Sequence, residues 1–385
     1  MQPLRNCKYA RKSRIKSLVK NVAAYLFYSV LLARPCKPQS CAENSMAVVF
    51  MASLGDFVVF CSFAKCLAES GKALTLICKQ SNGIADFARC TGLFSEIHEL
   101  DMSFSRRFSS VKSLKNLSAD TVISLPPTRH IMSDVCACTI KSNQLVLADT
   151  SMGCSLPWLK KRVDTYCSGL PKITAISEYD RYNEFFIKSE LLQERPELYR
   201  LYRRTDTTGR TLAVFPGAGG GMEKCWSVEN FTLTIKELCR RELVSDVVVL
   251  GTKSESDFCS SLFNAISGKH HTENLCGKTD IQQLTELLKK CCLTIANDSG
   301  SSHVSVACGV PTVVICGMWQ YGRFYSDVCT DNIVHPIFAD GFCQSCSAVK
   351  PLCGIYPAPC VGSITPEKVI ECASDLLEKE RSNYD

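Results

Sequence analysis

Short apolar runs recur along the chain from residue 46, and polar stretches with helical periodicity separate them. The runs have strand length and are apolar at nearly every position, which is typical of parallel strands covered on both faces. We therefore predict an α/β protein with doubly wound parallel sheets. The predicted strands are residues 46–51, 73–78, 121–125, 211–215, 246–250, 293–296 and 312–316. In the first half, a predicted helix follows the first strand and ends near residue 70. In the second half, the predicted helices span 230–240, 254–266 and 281–290.

A polar segment broken by proline and glycine divides the pattern at residues 196–210, where a linker is expected. A chain of 385 residues exceeds one ordinary domain of roughly 100–200 residues. Residues 46–195 and 211–363 then form two Rossmann-like domains that face a central cleft, and residues 364–385 form a final helix. Ligands bind such sheets beyond the carboxyl ends of the strands, so the motifs there matter most.

The first 45 residues differ from the rest. Basic residues from Arg5 onward lead into an apolar stretch between Leu18 and Ala33, and the first acidic residue is Glu43. We interpret the segment as an amphipathic helix on an anionic membrane surface. A helix packed on protein and a secretory signal peptide are the alternatives, although Arg34-Pro35-Cys36 is a poor cleavage site.

Composition narrows the class of protein. Apolar residues make up 46% and charged residues 21%, as in ordinary globular proteins, and no apolar run has the ~18–20 residues of a spanning helix. The net charge of +6 suits an anionic substrate and does not call for nucleic acid. Many of the 25 cysteines lie inside apolar runs, which indicates buried thiols in a reducing compartment. A secreted disulfide scaffold is the alternative, although such scaffolds are usually short and rich in loops.

Two motifs suit the binding of a phosphate group. Asp298-Ser299-Gly300 follows a predicted strand and opens a helix, whose free N–H groups form an anion site, and His303 lies one turn further on. A glycine-rich turn at residues 216–221, including Gly217, Ala218 and Gly219, follows another strand and precedes Lys224. A simple helix cap and a flexible turn are the structural alternatives.

Two carboxylates also follow predicted strands. Asp56, in Ser-Leu-Gly-Asp, could serve as a general base for an acceptor hydroxyl, and Glu255 could hold ribose hydroxyls. Each could equally be a helix cap or a first-turn acid. Arg129, beyond the strand at 121–125, is a candidate acceptor-binding residue.

A proline-rich loop carries four closely spaced cysteines. Cys343, Cys346, Cys353 and Cys360 could hold a structural zinc or an iron–sulfur centre, although the spacing is not that of a common zinc ribbon. Free thiols in a cysteine-rich chain are the alternative.

Together and in this order, the motifs resemble those of the glycosyltransferase family that contains the ADP-heptose:lipopolysaccharide heptosyltransferases. The matching segments, within about residues 46–380, are 53–56, 215–219, 224–231, 275–278, 297–312 and 364–367. The chain departs from the family pattern at Phe50, Phe215 and Ser227, where a basic residue, histidine and proline are usual.

The resemblance implies a GT-B fold, with an acceptor-binding domain at residues 46–195, a donor-binding domain at 211–363 and a final helix at 364–385 that crosses back to the first domain. It also implies inverting, metal-independent transfer of a heptose or related sugar from an ADP-sugar. The acceptor would be the lipopolysaccharide core or another glycan or glycolipid at the cytoplasmic face of the membrane. By the same resemblance, Asp56 is the base, Glu255 contacts the nucleoside, and Lys224 acts in binding and catalysis. The remaining donor-site residues are Gly217, Ala218, Gly219, Asp298, Ser299, Gly300 and His303.

Two other classes of protein stay open at this point. A nucleotide-sugar epimerase could use the same fold, but it needs no lipid acceptor, so the basic N-terminal segment would lack an explanation. A non-catalytic nucleotide-sugar-binding protein would keep the donor site and would not need Asp56.

Overall fold

The chain forms two parallel β-sheets, seen here in a computed structural model. The structure describes residues 42–80, 83–125, 131–149, 157–202, 209–219, 221–268, 271–324, 333–341, 353 and 356–382. Among these residues, no helix is both long and apolar enough to cross a membrane. Residues 1–41 of the predicted membrane-associating segment lie outside the described residues.

The first sheet has five strands in the order β3-β2-β1-β4-β5. Its strands are β1 (Ser45–Phe50), β2 (Ala73–Lys79), β3 (Glu96–Leu100), β4 (Ser118–Ser124) and β5 (Lys141–Leu147). The helices that follow these strands are α1 (Leu54–Glu69), α2 (Ile84–Thr91), α3 (Arg107–Ser113), α4 (Ile131–Thr139) and α5 (Pro157–Asp164), and a 3₁₀ turn spans Leu114–Asn116. One core cluster joins the central strands to α4 through residues such as Val49, Val122 and Val135.

The second sheet has six strands in the order β11-β10-β9-β6-β7-β8. Its strands are β6 (Thr211–Phe215), β7 (Asp246–Val249), β8 (His271–Asn274), β9 (Cys291–Asn297), β10 (Thr312–Ile315) and β11 (Val334–Ile337). The helices are α6 (Glu178–Lys188), α7 (Val228–Arg240), α8 (Ser256–Ile266), α9 (Ile281–Leu288), α10 (Gly300–Ala307), α11 (Pro359–Gly362) and α12 (Pro366–Ser382). Three 3₁₀ turns span Met222–Lys224, Lys253–Glu255 and Met318–Gln320.

The seven predicted strands are confirmed to within a few residues at their ends, and the parallel pairing confirms the predicted fold class. The order of each sheet reverses direction about its first strand, as in doubly wound sheets. Four strands were not predicted: β3, β5, β8 and β11. Each contains polar residues or a proline, and all four lie at the edges of the sheets.

By their contacts, the residues group into two compact units. Among the described residues, one unit comprises those up to 51 and those within 70–81 and 94–173, and the other comprises those within 52–69, 82–93 and 174–382. Helices α1 and α2 therefore pack with the unit that contains the second sheet. The domain boundaries given by the sequence pattern stay a prediction, as does the crossing back of the final helix. The buried face of α12, which includes Val369 and Ala373, belongs to the core of the second sheet.

Candidate active site

Two sequence motifs that are far apart along the chain meet within the second unit. A Cβ added at Gly55 in α1 would lie 2.7 Å from Cδ2 of His303 in α10. A Cβ added at Gly300 would lie 3.2 Å from the Cβ of Leu54. Real Cβ atoms rarely approach this closely, so both glycines allow the N-terminal turns of α1 and α10 to touch. The Ser-Leu-Gly-Asp motif thus lies against the Asp-Ser-Gly-Ser-Ser-His motif.

Asp56 is buried in the first turn of α1, and its two carboxylate oxygens differ. Oδ2 accepts hydrogen bonds from the backbone N–H of Ser53 at 3.0 Å and from the Ser53 hydroxyl at 2.6 Å. Oδ1 is buried and has no hydrogen-bond partner among the described residues. Asp56 therefore closes the first turn with one oxygen, as in the structural alternative, and its other oxygen is not used in closing that turn.

Lys224 lies beside the residues that precede α10. Its Nζ is 3.1 Å from Oδ2 of Asp298, and the amide Nε2 of Gln320 donates to the same oxygen at 2.8 Å. Asp298 is buried, whereas Lys224 keeps about a fifth of its side chain (21%) exposed. The structure thus brings the lysine of the glycine-rich segment to the start of α10.

The N-terminus of α10 has an extended Ser299 as its N-cap. The hydroxyl of Ser302 accepts from the Ser299 N–H at 3.3 Å and donates to the Ser299 carbonyl at 2.7 Å. No carboxylate occupies this first turn, so its positive end can act on an anion together with Lys224. Binding of a diphosphate at this turn stays a prediction.

Asn297 links the segments around the site through side-chain hydrogen bonds. Its side-chain oxygen accepts from the backbone N–H of Trp226 at 3.0 Å, and its amide donates to the carbonyls of Pro216 at 2.7 Å and Gly217 at 3.4 Å. The indole of Trp226 is fully buried and donates to the Ile364 carbonyl at 2.8 Å. Asn297 and Trp226 thus connect the segments around the site. The sequence alone did not distinguish such structural motif residues from residues that could contact a ligand.

His303 is almost entirely buried between Gly55 and Phe324. The Phe324 ring packs edge-on against the imidazole, with ring centroids 5.0 Å apart. Burial lowers the pKa of His303 below its usual value of 6.5, although the carboxylates of Asp298 and Asp56 oppose the shift. The imidazole is therefore neutral near pH 7 and can donate one hydrogen bond.

Glu255 lies against the glycine-rich turn. Its Oε2 accepts from the N–H and the hydroxyl of Thr252, both at 2.7 Å, which closes the turn Lys253–Glu255. A Cβ at Gly217 would lie 2.7 Å from the Glu255 carboxyl carbon, so only glycine permits this approach. Gly277 of the Leu-Cys-Gly-Lys segment donates to the Gly251 carbonyl at 2.9 Å. The predicted nucleoside residue and the phosphate-binding turn are therefore neighbours.

Some predicted residues lie outside this cluster or outside the described residues. Arg129, Cys343 and Cys346 are not among the described residues. Cys353 is exposed, and the Sγ of Cys360 accepts a hydrogen bond from the Met318 N–H at 3.4 Å. Within the described parts of the chain, no group of three His, Cys, Asp or Glu residues could hold a metal ion. A metal at the four-cysteine loop stays a prediction.

Sequence reasoning missed a second buried carboxylate near Asp56. Glu178 begins α6, is fully buried, and pairs with Arg323 at 2.8 Å. Burial raises the pKa of Glu178, the Arg323 cation opposes this shift, and the Asp56 charge adds to it. The hydroxyl of Tyr182, also on α6, is buried without a hydrogen-bond partner among the described residues. In the sequence, Glu178 resembles any acidic residue in a first helical turn, so no local signal marks it.

Solved structures share the two-sheet arrangement. The glycosyltransferase family 9 protein from Veillonella parvula superimposes with a TM-score of 0.68 at 16% identity, over 89% of this chain and 100% of that chain. The Escherichia coli ADP-heptose lipopolysaccharide heptosyltransferase II gives 0.63 at 16% identity, over 88% of this chain and 99% of that one. At these identities the likeness shows the fold, which is that of GT-B proteins.

The sequence comparison identifies the family within that fold. A model of glycosyltransferase family 9 (heptosyltransferase) matches residues 107–326, which is over half of the chain. The chain belongs to this family, as its motifs predicted. A lipooligosaccharide heptosyltransferase 2 from Campylobacter jejuni is 28% identical over 171 residues, 44% of this chain and 51% of the relative. The chain thus matches about half the length of this curated relative.

Proposed function

We propose that the protein transfers a heptose from ADP-heptose to a sugar hydroxyl of a lipopolysaccharide or lipooligosaccharide core, with inversion at the anomeric carbon. The observation that carries the proposal is the packing of the Asp56 turn against the Ser299–His303 turn, with Lys224 beside it. A base and an anion site are thus adjacent, as transfer from a nucleotide sugar requires. A binding protein would not need the unpaired Asp56 oxygen.

The reaction follows from these groups. The acceptor oxygen attacks the anomeric carbon as the bond from that carbon to the diphosphate oxygen breaks, and ADP leaves. Oδ1 of Asp56 takes the proton of the attacking hydroxyl, because Oδ2 is already engaged by Ser53. Negative charge grows on the leaving diphosphate, where Lys224 and the N-terminus of α10 stabilise it. In this proposal the protein's own groups supply the stabilisation and no metal ion takes part.

Lys224 would change partners during the cycle. In the structure its ammonium group contacts Asp298, which Gln320 also holds. When a diphosphate binds, Lys224 can turn to it, and the Gln320 hydrogen bond remains on Asp298. The diphosphate then replaces Asp298 as the charged acceptor that Lys224 contacts.

The acceptor and the location rest on the relatives and on the sequence. Curated relatives carry the name lipooligosaccharide or lipopolysaccharide heptosyltransferase 2, which suggests a core sugar as acceptor. The basic and apolar N-terminal sequence suits the anionic cytoplasmic face of the membrane, where such an acceptor would lie. Removal of residues 1–37 tests this location by binding to anionic vesicles. Loss of vesicle binding would support the location, and unchanged binding would contradict it.

A thermal-shift comparison of ADP, UDP and GDP, each alone and as a sugar conjugate, tests the donor. A ligand at ~100 times its dissociation constant stabilises the folded state by about 2.7 kcal/mol, so a correct donor gives a clear rise in Tm. We expect ADP and ADP-heptose to raise the Tm and the other nucleotides to have little effect. A response to UDP or GDP without one to ADP would overturn the donor assignment.

A further inference from the structure

Glu178 is a buried carboxylate that the proposed reaction does not use. Its Oε1 accepts from Nε of Arg323 at 2.8 Å and from a terminal guanidinium nitrogen of Arg181 at 3.5 Å. In addition, the backbone N–H of Glu178 donates to the Arg323 carbonyl at 2.8 Å. The start of α6 thus holds Arg323 at both its main chain and its side chain.

Helix α6 does not need Glu178 for its own N-terminus. The Ser177 hydroxyl caps the helix by accepting from the Asp180 N–H at 3.1 Å. Burying a carboxylate is unfavourable unless partners compensate for the lost hydration. A fully buried Glu178 that is dispensable for capping therefore calls for another role.

Arg323 connects Glu178 to both sides of the anion site. Its backbone N–H donates to the Gln320 carbonyl at 2.9 Å, and the Gln320 side chain holds Asp298, the partner of Lys224. On the other side, the Arg323 guanidinium stacks over the Phe324 ring at 4.6 Å, and Phe324 packs against His303. Both routes consist of contacts at hydrogen-bonding or stacking distance.

We propose that Glu178 is a positioning residue of the donor site, which fixes Arg323 and thereby holds Gln320 against Asp298 and Phe324 against His303. The effect of Glu178 on catalysis rests on the proposed function, whereas its effect on the positions of Gln320 and Phe324 does not. Glu178 touches no reacting atom in this scheme. It acts through Arg323 on residues that bind the diphosphate.

The His303 side chain gives a readout that needs no ligand. The ring current of Phe324, at 5.0 Å, makes the His303 ring-proton resonance sensitive to small movements of either ring. In protein labelled only at histidine, the loss of one resonance in His303→Gln assigns it. We expect Glu178→Gln to shift this resonance and to leave that of the exposed His271 unchanged.

Glu184→Gln is the matched control, since Glu184 lies on the same helix. Its partners are Lys188, the backbone N–H and hydroxyl of Thr174 and the backbone N–H of Ala175, and Arg323 is not among them. This variant should leave the His303 resonance in place. Arg323→Lys tests the same contact from the other side, although it also removes the direct stacking on Phe324. Glu178→Asp, which keeps the charge and shortens the side chain, keeps the test decisive if Glu178→Gln fails to fold.

A double-mutant comparison separates positioning from general destabilisation. If Glu178 acts through Arg323, the double variant should shift the His303 resonance no further than the larger single effect. ADP binding, measured by calorimetry, should weaken by roughly 3- to 30-fold in Glu178→Gln, the range of mutations that act through intermediate contacts. Glu184→Gln should bind ADP as the wild type does.

The outcomes distinguish this inference from the proposed function. An unmoved His303 resonance in Glu178→Gln and Arg323→Lys, or an equal shift in Glu184→Gln, overturns the positioning role even if ADP binds normally. If the resonance moves as expected while no ADP compound binds the wild type, the positioning role stands and the donor assignment fails.

Discussion

Two helix N-termini touch in this protein, and their first turns differ in charge. Helix α1 has Asp56 in its first turn, so a carboxylate neutralises the positive end of the helix. Helix α10 has the neutral Ser302 at the equivalent position, closed onto Ser299, and Lys224 lies nearby. In the proposed reaction, the first helix end carries the base and the second holds the anion.

The difference shows how one local motif can serve two chemical roles. Both turns begin with a serine and close with a polar side chain three residues later, and a glycine in each permits their contact. The charge of the closing residue decides whether the turn attracts or repels a phosphate. Exchanging or removing that charge is the most direct way to test the assignment.

Asp56→Asn should have the largest effect, because it removes the proposed base and keeps the shape of the turn. We expect turnover with ADP-heptose to fall by roughly 10²–10⁴-fold, the usual contribution of a positioned acid or base. Donor affinity should change little, since Asp56 faces the acceptor hydroxyl in the proposed reaction. Steady-state kinetics together with calorimetric donor binding measures both quantities.

Asp86→Asn is the matched control, since Asp86 also lies in a first helical turn, that of α2, and pairs with Arg89 on the surface. It should keep wild-type turnover. If Asp56→Asn also kept full activity, Asp56 would be only a helix-closing residue.

Lys224→Ala should affect binding and turnover together, because the cation acts on the diphosphate both before and during bond cleavage. Loss of one such group typically lowers kcat by about 10²–10³-fold. We also expect a measurable rise in the dissociation constant for ADP. Lys236→Ala, on the exposed face of α7, is the control and should change neither quantity. Unchanged ADP affinity in Lys224→Ala would separate Lys224 from the donor.

The central part of the fold could be predicted from the sequence because buried parallel strands are apolar throughout. Residues such as Val48, Leu212 and Ile295 are fully buried in central strands, and apolar runs of this kind predict such strands. The edge strands carry a different pattern, as in β8 with the sequence HTEN, because one side of such a strand faces solvent. Pattern alone cannot distinguish them from loops.

The site could be predicted only where short motifs follow a strand. Asp56, Lys224 and His303 were found this way, and the structure brings them into one region. Glu178 and Gln320 were missed because their role depends on partners far away along the chain, namely Arg323 and Asp298. The hydrogen bonds from Ser53 to Oδ2 of Asp56 were anticipated only in general form, as the alternative that Asp56 is a helix cap.

Gly55→Ala tests whether the two helix ends must touch. The added Cβ would lie 2.7 Å from the His303 ring, and overpacking of this kind costs about 1–3 kcal/mol. Alanine in a helix gains up to about 1 kcal/mol over glycine, so the contact should still dominate. We expect a lower free energy of unfolding in urea. Gly219→Ala, whose Cβ would meet no atom within 4 Å, should change stability much less. Equal or greater stability in Gly55→Ala would show that the His303 ring can move away from the added Cβ without cost.

His303→Gln should give the smallest effect, a change in how stability depends on pH. Burial lowers the pKa of His303 below 6.5. Between that lowered value and 6.5, the unfolded chain binds a proton that the folded chain does not. The free energy of unfolding of the wild type therefore falls as the pH drops through this window, by at most about 1.4 kcal/mol per pH unit.

His303→Gln removes this contribution, so its free energy of unfolding should fall less steeply between pH 7 and pH 5.5 in urea titrations. The raised pKa of Glu178 acts with the opposite sign, because the folded chain then holds the extra proton, but it is present in both proteins and cancels in the comparison. His271→Gln, at an exposed position, should keep the wild-type slope. Identical slopes for wild type and His303→Gln would mean that the imidazole can take up a proton beside Asp56 and Asp298. The end of α10 would then carry a further positive charge for the diphosphate, and its contrast with the end of α1 would be sharper than burial alone suggests.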